Sequence, residues 1–259
     1  MLNITNLKKC FKKGAGREDF LLDIPLLSIK ENEIIYFVGP NGSGKTTILS
    51  IIQGQVECDS GEVTINLGDS DEEISLLQLE PFRRAKFIGF VPQESDDVLI
   101  NEMTIIDHIL IGLHRSNSLP WFFPRRRSLL KAKDIIEKFG IGLENRFFEP
   151  VGNLSGGERQ VLAFCLATLS KPEVLLLDEF TASLDPEMAK KVLNLVISFI
   201  RENKLSALIV THRHGEALEN ADRIVILHKG MPYREIHRND DDFNEESLKS
   251  IFNKLYEPV

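Results

Sequence analysis

The sequence predicts an α/β fold with a mostly parallel central sheet, an antiparallel β region on its amino-terminal side and an inserted helical subdomain. Short apolar runs alternate with segments of helical spacing, which is the pattern of parallel strands connected by helices. One of these runs, Ile34–Val38, leads directly into a glycine-rich loop. Between residues 97 and 152 the short runs stop, and apolar residues recur at helical spacing instead.

The predicted strands are apolar runs bounded by polar or turn-forming residues. In chain order they are Leu2–Leu7, Leu21–Ile29, Ile34–Val38, Phe87–Val91, Val174–Leu177, Ala207–Val210 and Ile224–Leu227. The predicted helices follow the glycine-rich loop, fill the inserted segment and include a late segment with Asn244 as its candidate N-cap. In chain order they are Thr46–Ile52, Ile105–Leu113, Ser128–Phe139 and Glu245–Leu255.

Length and composition fit one domain of residues 1–259. We expect residues 1–96 and 153–259 to form the core and β region, and residues 97–152 to form the helical subdomain. The net charge of −8 argues against a strongly basic surface, so no nucleic-acid partner is expected. The three scattered cysteines favour free thiols over disulfides or a metal site. No apolar run reaches 18 residues, so no membrane span is expected.

The glycine-rich loop matches the pattern G-x-x-x-x-G-K-[ST]. Its residues are Gly39, Pro40, Asn41, Gly42, Ser43, Gly44, Lys45 and Thr46, and Thr47 follows as a further candidate contact. Gly42 and Gly44 allow successive N–H groups to turn inward as an anion nest at a helix start. Lys45 adds a charge for the β- and γ-phosphates, and the Thr46 hydroxyl suits Mg²⁺. This phosphate loop predicts a nucleotide site, but it fits a kinase, a GTPase or a motor equally well.

Two acids end the predicted strand at Val174–Leu177. Asp178 is suited to hold Mg²⁺, and Glu179 is suited to polarise an attacking water as a general base. The alternative is a strand that ends in solvated acids. The signature segment, Leu154–Gln160, contains Ser155, Gly156 and Gly157 ahead of a helical pattern, which makes a second candidate anion site. Its alternative is an ordinary helix N-cap with a flexible preceding loop.

Taken in order, Gly39–Thr46, Leu154–Gln160 and Val174–Glu179 resemble the ATP-binding subunit of ABC transporters. Three further matches are to the family's Q-loop, D-loop and switch histidine, at Gln93, Ser183–Asp185 and His212. The resemblance spans about Leu2 to Leu227, and the Leu-Ser-Gly-Gly run is its most specific part. It implies a P-loop NTPase core that binds ATP with Mg²⁺ and hydrolyses it.

The resemblance also implies roles for individual residues. Glu179 and His212 would be catalytic, with His212 sensing the γ-phosphate. Gln93 would contact Mg²⁺ and link it to the helical subdomain, and Asp178 and Thr46 would complete the metal site. Two copies of the chain would sandwich two ATP molecules, with Ser155, Gly156 and Gly157 reaching the partner's γ-phosphate and Asp185 connecting the two sites. Phe11 would stack on adenine, although a core role for Phe11 and a rival role for Phe20 stay open.

Three positions depart from the family's usual residues. Glu158 stands where glutamine is commonest, Phe180 where proline is usual, and Phe11 where tyrosine is typical. None of these changes removes a required chemical group. We therefore expect a symmetric, active homodimer.

The resemblance implies a separate integral-membrane permease, a substrate-binding protein and a cytoplasmic position at the inner face of the membrane. The segments Arg84–Gly89 and Gly142–Arg146 are similar to ATPases paired with binding proteins of the tryptophan/tyrosine type, which suggests uptake of a small organic solute. The alternative is a soluble ABC ATPase, such as an iron–sulfur assembly scaffold. The aromatic and basic segment Leu119–Arg127 is either an ordinary surface loop or a contact for permease or anionic lipid.

Overall fold

A computed structural model gives the structure of the chain and describes residues 1–12, 20–67, 73–115 and 125–256. The strands in the described residues are β1 Leu2–Phe11, β2 Phe20–Ile29, β3 Ile34–Val38, β4 Ser60–Asn66, β5 Glu73–Ser75, β6 Ile88–Val91, β7 Val174–Asp178, β8 Ser206–Val210, β9 Arg223–His228 and β10 Met231–His237. The α-helices there are α1 Lys45–Gln53, α2 Pro81–Arg84, α3 Ile105–Arg115, α4 Arg125–Glu137, α5 Gly156–Thr168, α6 Pro186–Glu202, α7 His214–Asn220 and α8 Glu245–Tyr256.

The chain divides into two compact units, Met1–Arg84 with Lys204–Val259, and Ala85–Asn203. In the first unit, β1 lies between β2 and β4 in an antiparallel sheet that β5 extends. In the same unit, β3 pairs in parallel with β8 and β9, and β10 pairs antiparallel with β9. Every residue of β3 and β8 is buried, which explains why both strands are continuous apolar runs rather than alternating ones.

The second unit packs helices on a parallel pair of strands, β6 and β7. Gly89 of β6 allows α5 to approach closely, because a Cβ there would lie 2.5 Å from the carbonyl oxygen of Ala167. Three rings, Phe139, Phe164 and Phe199, join the end of α4 to α5 and α6, with centroids 4.9–5.9 Å apart. These edge-on and stacked contacts fix the helices against one another.

All seven predicted strands and all four predicted helices are found, with ends that differ by a few residues. The Asn244 cap is confirmed, since its side chain accepts the N–H of Ser247 at 2.8 Å. The fold class is confirmed as well: an antiparallel β region accompanies mostly parallel strands and helices. β1 is longer than predicted because Lys8 and Lys9, which interrupt its apolar pattern, form ion pairs with Asp23 and Asp59.

The predicted helical subdomain at residues 97–152 contains α3 and α4, and its separation from residues 1–96 and 153–259 stays a prediction. In the segment Leu119–Arg127, residues 119–124 lie outside the described residues, and Arg125–Arg127 begin α4. No helix in the described part of the chain is both long and apolar enough to cross a membrane. The three cysteines carry free thiols, and burial raises the pKa of Cys165 to about 12.

Candidate functional site

The phosphate loop in the first unit connects β3 to α1. Gly44 is the N-cap of α1 with a φ of 101°, and no side chain caps this helix. The start of α1 therefore carries the positive end of the helix dipole with no capping side chain in front of it. A Cβ at Gly44 would lie 2.7 Å from Cδ1 of Leu22, so only glycine fits both the backbone angle and the space. This geometry suits a phosphate group.

Lys45 and Ser43 face the inside of the loop. Lys45 is buried, and its Nζ donates to the carbonyl oxygens of Gly39 at 2.8 Å and Pro40 at 3.1 Å. These hydrogen bonds hold the positively charged Lys45 ammonium group inside the loop. The Ser43 hydroxyl is also buried and has no hydrogen-bond partner within the described residues. Since buried polar groups are nearly always paired, this hydroxyl fits a loop built around a polar ligand.

Gly230 supports the phosphate loop from behind, and sequence reasoning missed it. It lies in the β9–β10 turn with a φ of 82°, and its N–H donates to the carbonyl oxygen of Ser43 at 3.1 Å. Its own carbonyl accepts the N–H of Asp23 at 2.8 Å. The dipeptide Lys229-Gly230 ahead of a short strand was the available signal, because both residues have the positive φ of a type I′ hairpin turn.

His212 and Phe11 also lie in the first unit. His212 is exposed just after β8, and the preceding Thr211 hydroxyl bonds Glu216 and accepts the N–H of Arg213. Because β3 and β8 are parallel neighbours, His212 and the phosphate loop follow the same ends of the two strands. The Phe11 ring is 36% exposed and lies 6.1 Å from the Phe20 ring. Phe11 and Phe20, the two candidates for an adenine contact, are therefore neighbours in the structure.

The candidate acids end β7 in the second unit. Asp178 is buried, while Glu179 is half-buried with a φ of 44°. A left-handed conformation at a residue other than glycine costs roughly 1–3 kcal/mol and is found most often at functional sites. Gln93 follows β6, the parallel neighbour of β7, and is exposed. Gln93, Asp178 and Glu179 therefore lie at one end of this strand pair.

The signature segment begins α5 with a cap of its own. Ser155 is the N-cap, and its N–H and hydroxyl both donate to Oε2 of Glu158 at 2.8 and 2.9 Å. The other carboxylate oxygen of Glu158 accepts from Arg146 at 2.6 Å. This helix start therefore differs from that of α1, because a carboxylate of the chain already occupies it and an arginine neutralises that carboxylate.

Close packing accounts for the glycines of the signature segment. A Cβ at Gly157 would lie 2.5 Å from Sδ of Met188, and one at Gly156 would lie 3.2 Å from Cδ2 of Leu184. Asp185 caps α6 by accepting the N–H of Met188 at 3.0 Å. The second unit thus brings Ser155–Gly157 next to the segment that contains Asp185.

A magnesium site would need few ligands from this chain. Within the described residues there is no group of three or more His, Cys, Asp or Glu side chains that could hold a metal ion. Mg²⁺ usually takes one or two protein ligands and fills the rest of its octahedron with phosphate and water. In the first unit the hydroxyl of Thr46, which is exposed in the first turn of α1, is chemically suited to be such a ligand. In the second unit the carboxylate of Asp178 is suited as well.

The predicted site residues therefore fall into two groups, one in each compact unit. The first unit contains Phe11, the phosphate loop, Thr47 and His212. The second unit contains Gln93, Ser155–Gly157, Asp178, Glu179 and Asp185. Their assigned roles stay predictions at this point.

Comparison with known proteins yields a family match and close relatives. The sequence model of the family described as ABC transporter matches residues 22–182. The chain is 31% identical over 230 residues to the tyrosine transport ATP-binding protein of Clostridioides difficile (strain R20291), covering 89% of each chain. It is 35% identical over 234 residues to the phosphonates import ATP-binding protein of Alcaligenes faecalis, covering 89% of this chain and 80% of that one.

A solved structure gives the same fold. It is a dimeric ATP-binding cassette in a post-hydrolysis state, bound to ADP and Pi. It superimposes with a TM-score of 0.77 at 27% identity, and the alignment covers 93% of this chain and all of that one.

Proposed function

The chain belongs to the ABC transporter family as an ATP-binding, ATP-hydrolysing subunit, and we propose that it powers movement of a small solute through a separate membrane permease. The observation that supports this most is the uncapped start of α1 behind Gly39–Thr46, with the Lys45 ammonium group held inside the loop. An anion nest with a fixed positive charge is what a triphosphate requires.

We assign the following roles within the proposed site. The loop Gly39–Thr46 and Thr47 bind the phosphates of ATP, and Phe11 stacks on its adenine. Thr46 and Asp178 would hold Mg²⁺ with a contribution from Gln93, and a bound Mg²⁺ would supply positive charge beside the phosphates. Glu179 polarises the attacking water, and His212 contacts the γ-phosphate.

We propose that the active form is a homodimer. Each ATP then lies between the phosphate loop of one copy and Ser155–Gly157 of the other, and Asp185 connects the two sites. The dimeric state of the related cassette with ADP and Pi supports this arrangement. ATP binding closes the dimer, and hydrolysis at Glu179 allows it to reopen.

The partners we propose are integral-membrane permease subunits together with a substrate-binding protein, which would place the chain at the inner face of the membrane. The names of the relatives, a tyrosine transport protein and a phosphonates import protein, support uptake of a small organic solute. Residues 97–152 would form the helical subdomain that faces the permease, and Leu119–Arg127 belongs to it.

Replacing Glu179 with glutamine tests the catalytic assignment. Loss of a positioned general base lowers rates by about 10²–10⁴-fold, so we expect kcat for ATP hydrolysis to fall by that factor or more. The KM for ATP should change little, because the phosphate loop is untouched. Steady-state phosphate release measures both constants.

The matched control for this variant is Glu173→Gln. Glu173 is exposed and precedes β7 at the opposite end from Glu179, so the same change of charge there should leave kcat unaltered. Turnover by Glu179→Gln at the rate of the unaltered protein would remove Glu179 from the proposed mechanism.

A second experiment distinguishes a transport ATPase from a soluble scaffold ATPase. We expect the chain, purified from detergent-solubilised membranes of its native cells, to bring an integral-membrane subunit with it. Recovery of the chain from the soluble fraction alone, with only soluble partners, would favour the scaffold ATPase instead.

A further inference from the structure

Gln160 connects the two segments that follow β6 and β7. It lies on α5, one turn after Gly157, and is only 2% exposed. Its Nε2 lies within hydrogen-bond distance of three carbonyl oxygens, those of Pro92 at 3.1 Å, Gln93 at 3.3 Å and Phe180 at 2.5 Å. The two hydrogens of this amide serve all three acceptors, so one hydrogen is shared between two of them. One amide group thus holds the backbone of the predicted Mg²⁺-linked glutamine and the backbone next to the predicted general base.

Two of these carbonyl groups belong to buried residues and receive a hydrogen bond from Gln160. Pro92 and Phe180 are buried, and a buried carbonyl that loses its donor is costly because water does not replace it. The residue directly before Phe180, Glu179, has a left-handed conformation with a φ of 44°. The hydrogen bond from Gln160 to the Phe180 carbonyl restrains this strained turn. It therefore also restrains the direction of the Glu179 side chain.

We propose that Gln160 is a positioning residue for ATP hydrolysis, which aligns the segments of Gln93 and Glu179 and ties both to the start of α5. This inference rests on the proposed function, since it assumes that Glu179 is the general base. The same helix begins with Ser155–Gly157, which we place against the partner's ATP. A shift of α5 when the dimer closes therefore moves Gln160, and the two segments that it holds move with it.

The test is a kinetic comparison of full-length variants. Gln160→Met keeps the approximate length and packing of the side chain but has no donor. A misplacement of reacting groups by about 1 Å costs on the order of 100-fold in rate, so we expect kcat for ATP to fall 10- to 100-fold. The KM for ATP and the affinity for a fluorescent ATP analogue should change less than about threefold, because the substitution leaves both the phosphate loop and Ser155–Gly157 unaltered.

The control is Thr168→Val at the far end of the same helix. The Thr168 hydroxyl bonds only the Cys165 carbonyl within the described residues, so this variant removes one hydrogen bond of α5 without touching either segment. Its kcat should stay within twofold of that of the unaltered protein. If Gln160→Met does not fold, Gln160→Leu is measured instead, because it places no charge at this buried position and also lacks the amide donors.

The outcomes separate this inference from the proposed function. Unaltered kcat in a folded Gln160 variant, while Glu179→Gln is inactive, would overturn the positioning role and leave the proposed function standing. A parallel loss of affinity and kcat, or failure of both Gln160 variants to fold, would show a purely structural role. Absence of ATPase activity in the unaltered protein would contradict the proposed function itself.

Discussion

Glu158, which stands where the family most often has glutamine, pairs with Arg146 beside the proposed phosphate contact at Ser155–Gly157. A carboxylate at the start of α5 satisfies the Ser155 N–H and suits the helix dipole. The same carboxylate repels a phosphate that approaches Ser155–Gly157. Arg146 contacts both Glu158 and Glu149, and these carboxylates raise the pKa of its guanidinium group. The positive charge of Arg146 offsets the effect of Glu158.

This pairing predicts a coupled effect of two substitutions. Arg146→Ala should raise the KM for ATP about two- to tenfold, as expected for loss of one partly exposed ion pair. Glu158→Gln should restore the KM in the double variant, because no unpaired carboxylate then faces the phosphate. Equal KM values in the single and double variants would contradict this account. The exposed pair of Lys191 and Glu187 is the control, and Lys191→Ala should leave the KM unchanged.

At the scale of elements, the β9–β10 turn holds the phosphate loop in place. The turn has positive φ at Lys229 and Gly230, and Gly230 contacts both the phosphate loop and β2 through its backbone. A Cβ at Gly230 would lie 1.9 Å from the carbonyl oxygen of Leu21. The shape of the phosphate loop thus depends on a residue that is far from it in the sequence.

Gly230→Ala should lower both stability and nucleotide affinity. A left-handed conformation at a residue other than glycine costs about 1–3 kcal/mol, and the short contact with Leu21 adds to that cost. Denaturant unfolding and ATP titration measure the two effects. Gly215→Ala is the control, because a Cβ there meets nothing within 4 Å and its φ is ordinary. An equal and small effect of both variants would show that the turn does not support the loop.

Sequence patterns predicted those elements whose signal is local. β3, β7 and β8 are fully buried, so their apolar runs stand out. β10 was missed because most of its residues are exposed and, among the described strands, it pairs only with β9. β4 was missed because Gly61 and polar residues interrupt its apolar pattern. Only glycine fits at position 61, because a Cβ there would lie 2.5 Å from the Cα of Leu7.

The candidate site likewise has parts that the sequence predicted and parts that it did not. The phosphate loop, the acids after β7 and the signature segment were visible because each is a continuous motif. The supporting roles of Gly230, Arg146 and Gln160 were not visible, because each acts on backbone or side chains distant in sequence. Hydrogen bonds of this kind leave no periodic pattern in the chain.

For the whole molecule, the proposed mechanism couples ATP binding to self-association. The predicted site residues of one copy include two anion-binding helix starts, at α1 and α5, and only that of α1 lacks a side-chain cap. In the proposed dimer, the two starts face one ATP from different copies. Each site is then incomplete in the monomer, so hydrolysis depends on closure.

The measurement that tests this claim most directly is the mass of the Glu179→Gln variant in solution, by light scattering, with and without ATP and Mg²⁺. We expect the monomer mass without nucleotide and twice that mass with ATP, because bound ATP is not hydrolysed and keeps the dimer closed. Adding Lys45→Ala should abolish the shift, since the loop then loses its fixed charge. A monomer that is saturated with ATP, or a dimer that forms equally well without it, would contradict the account.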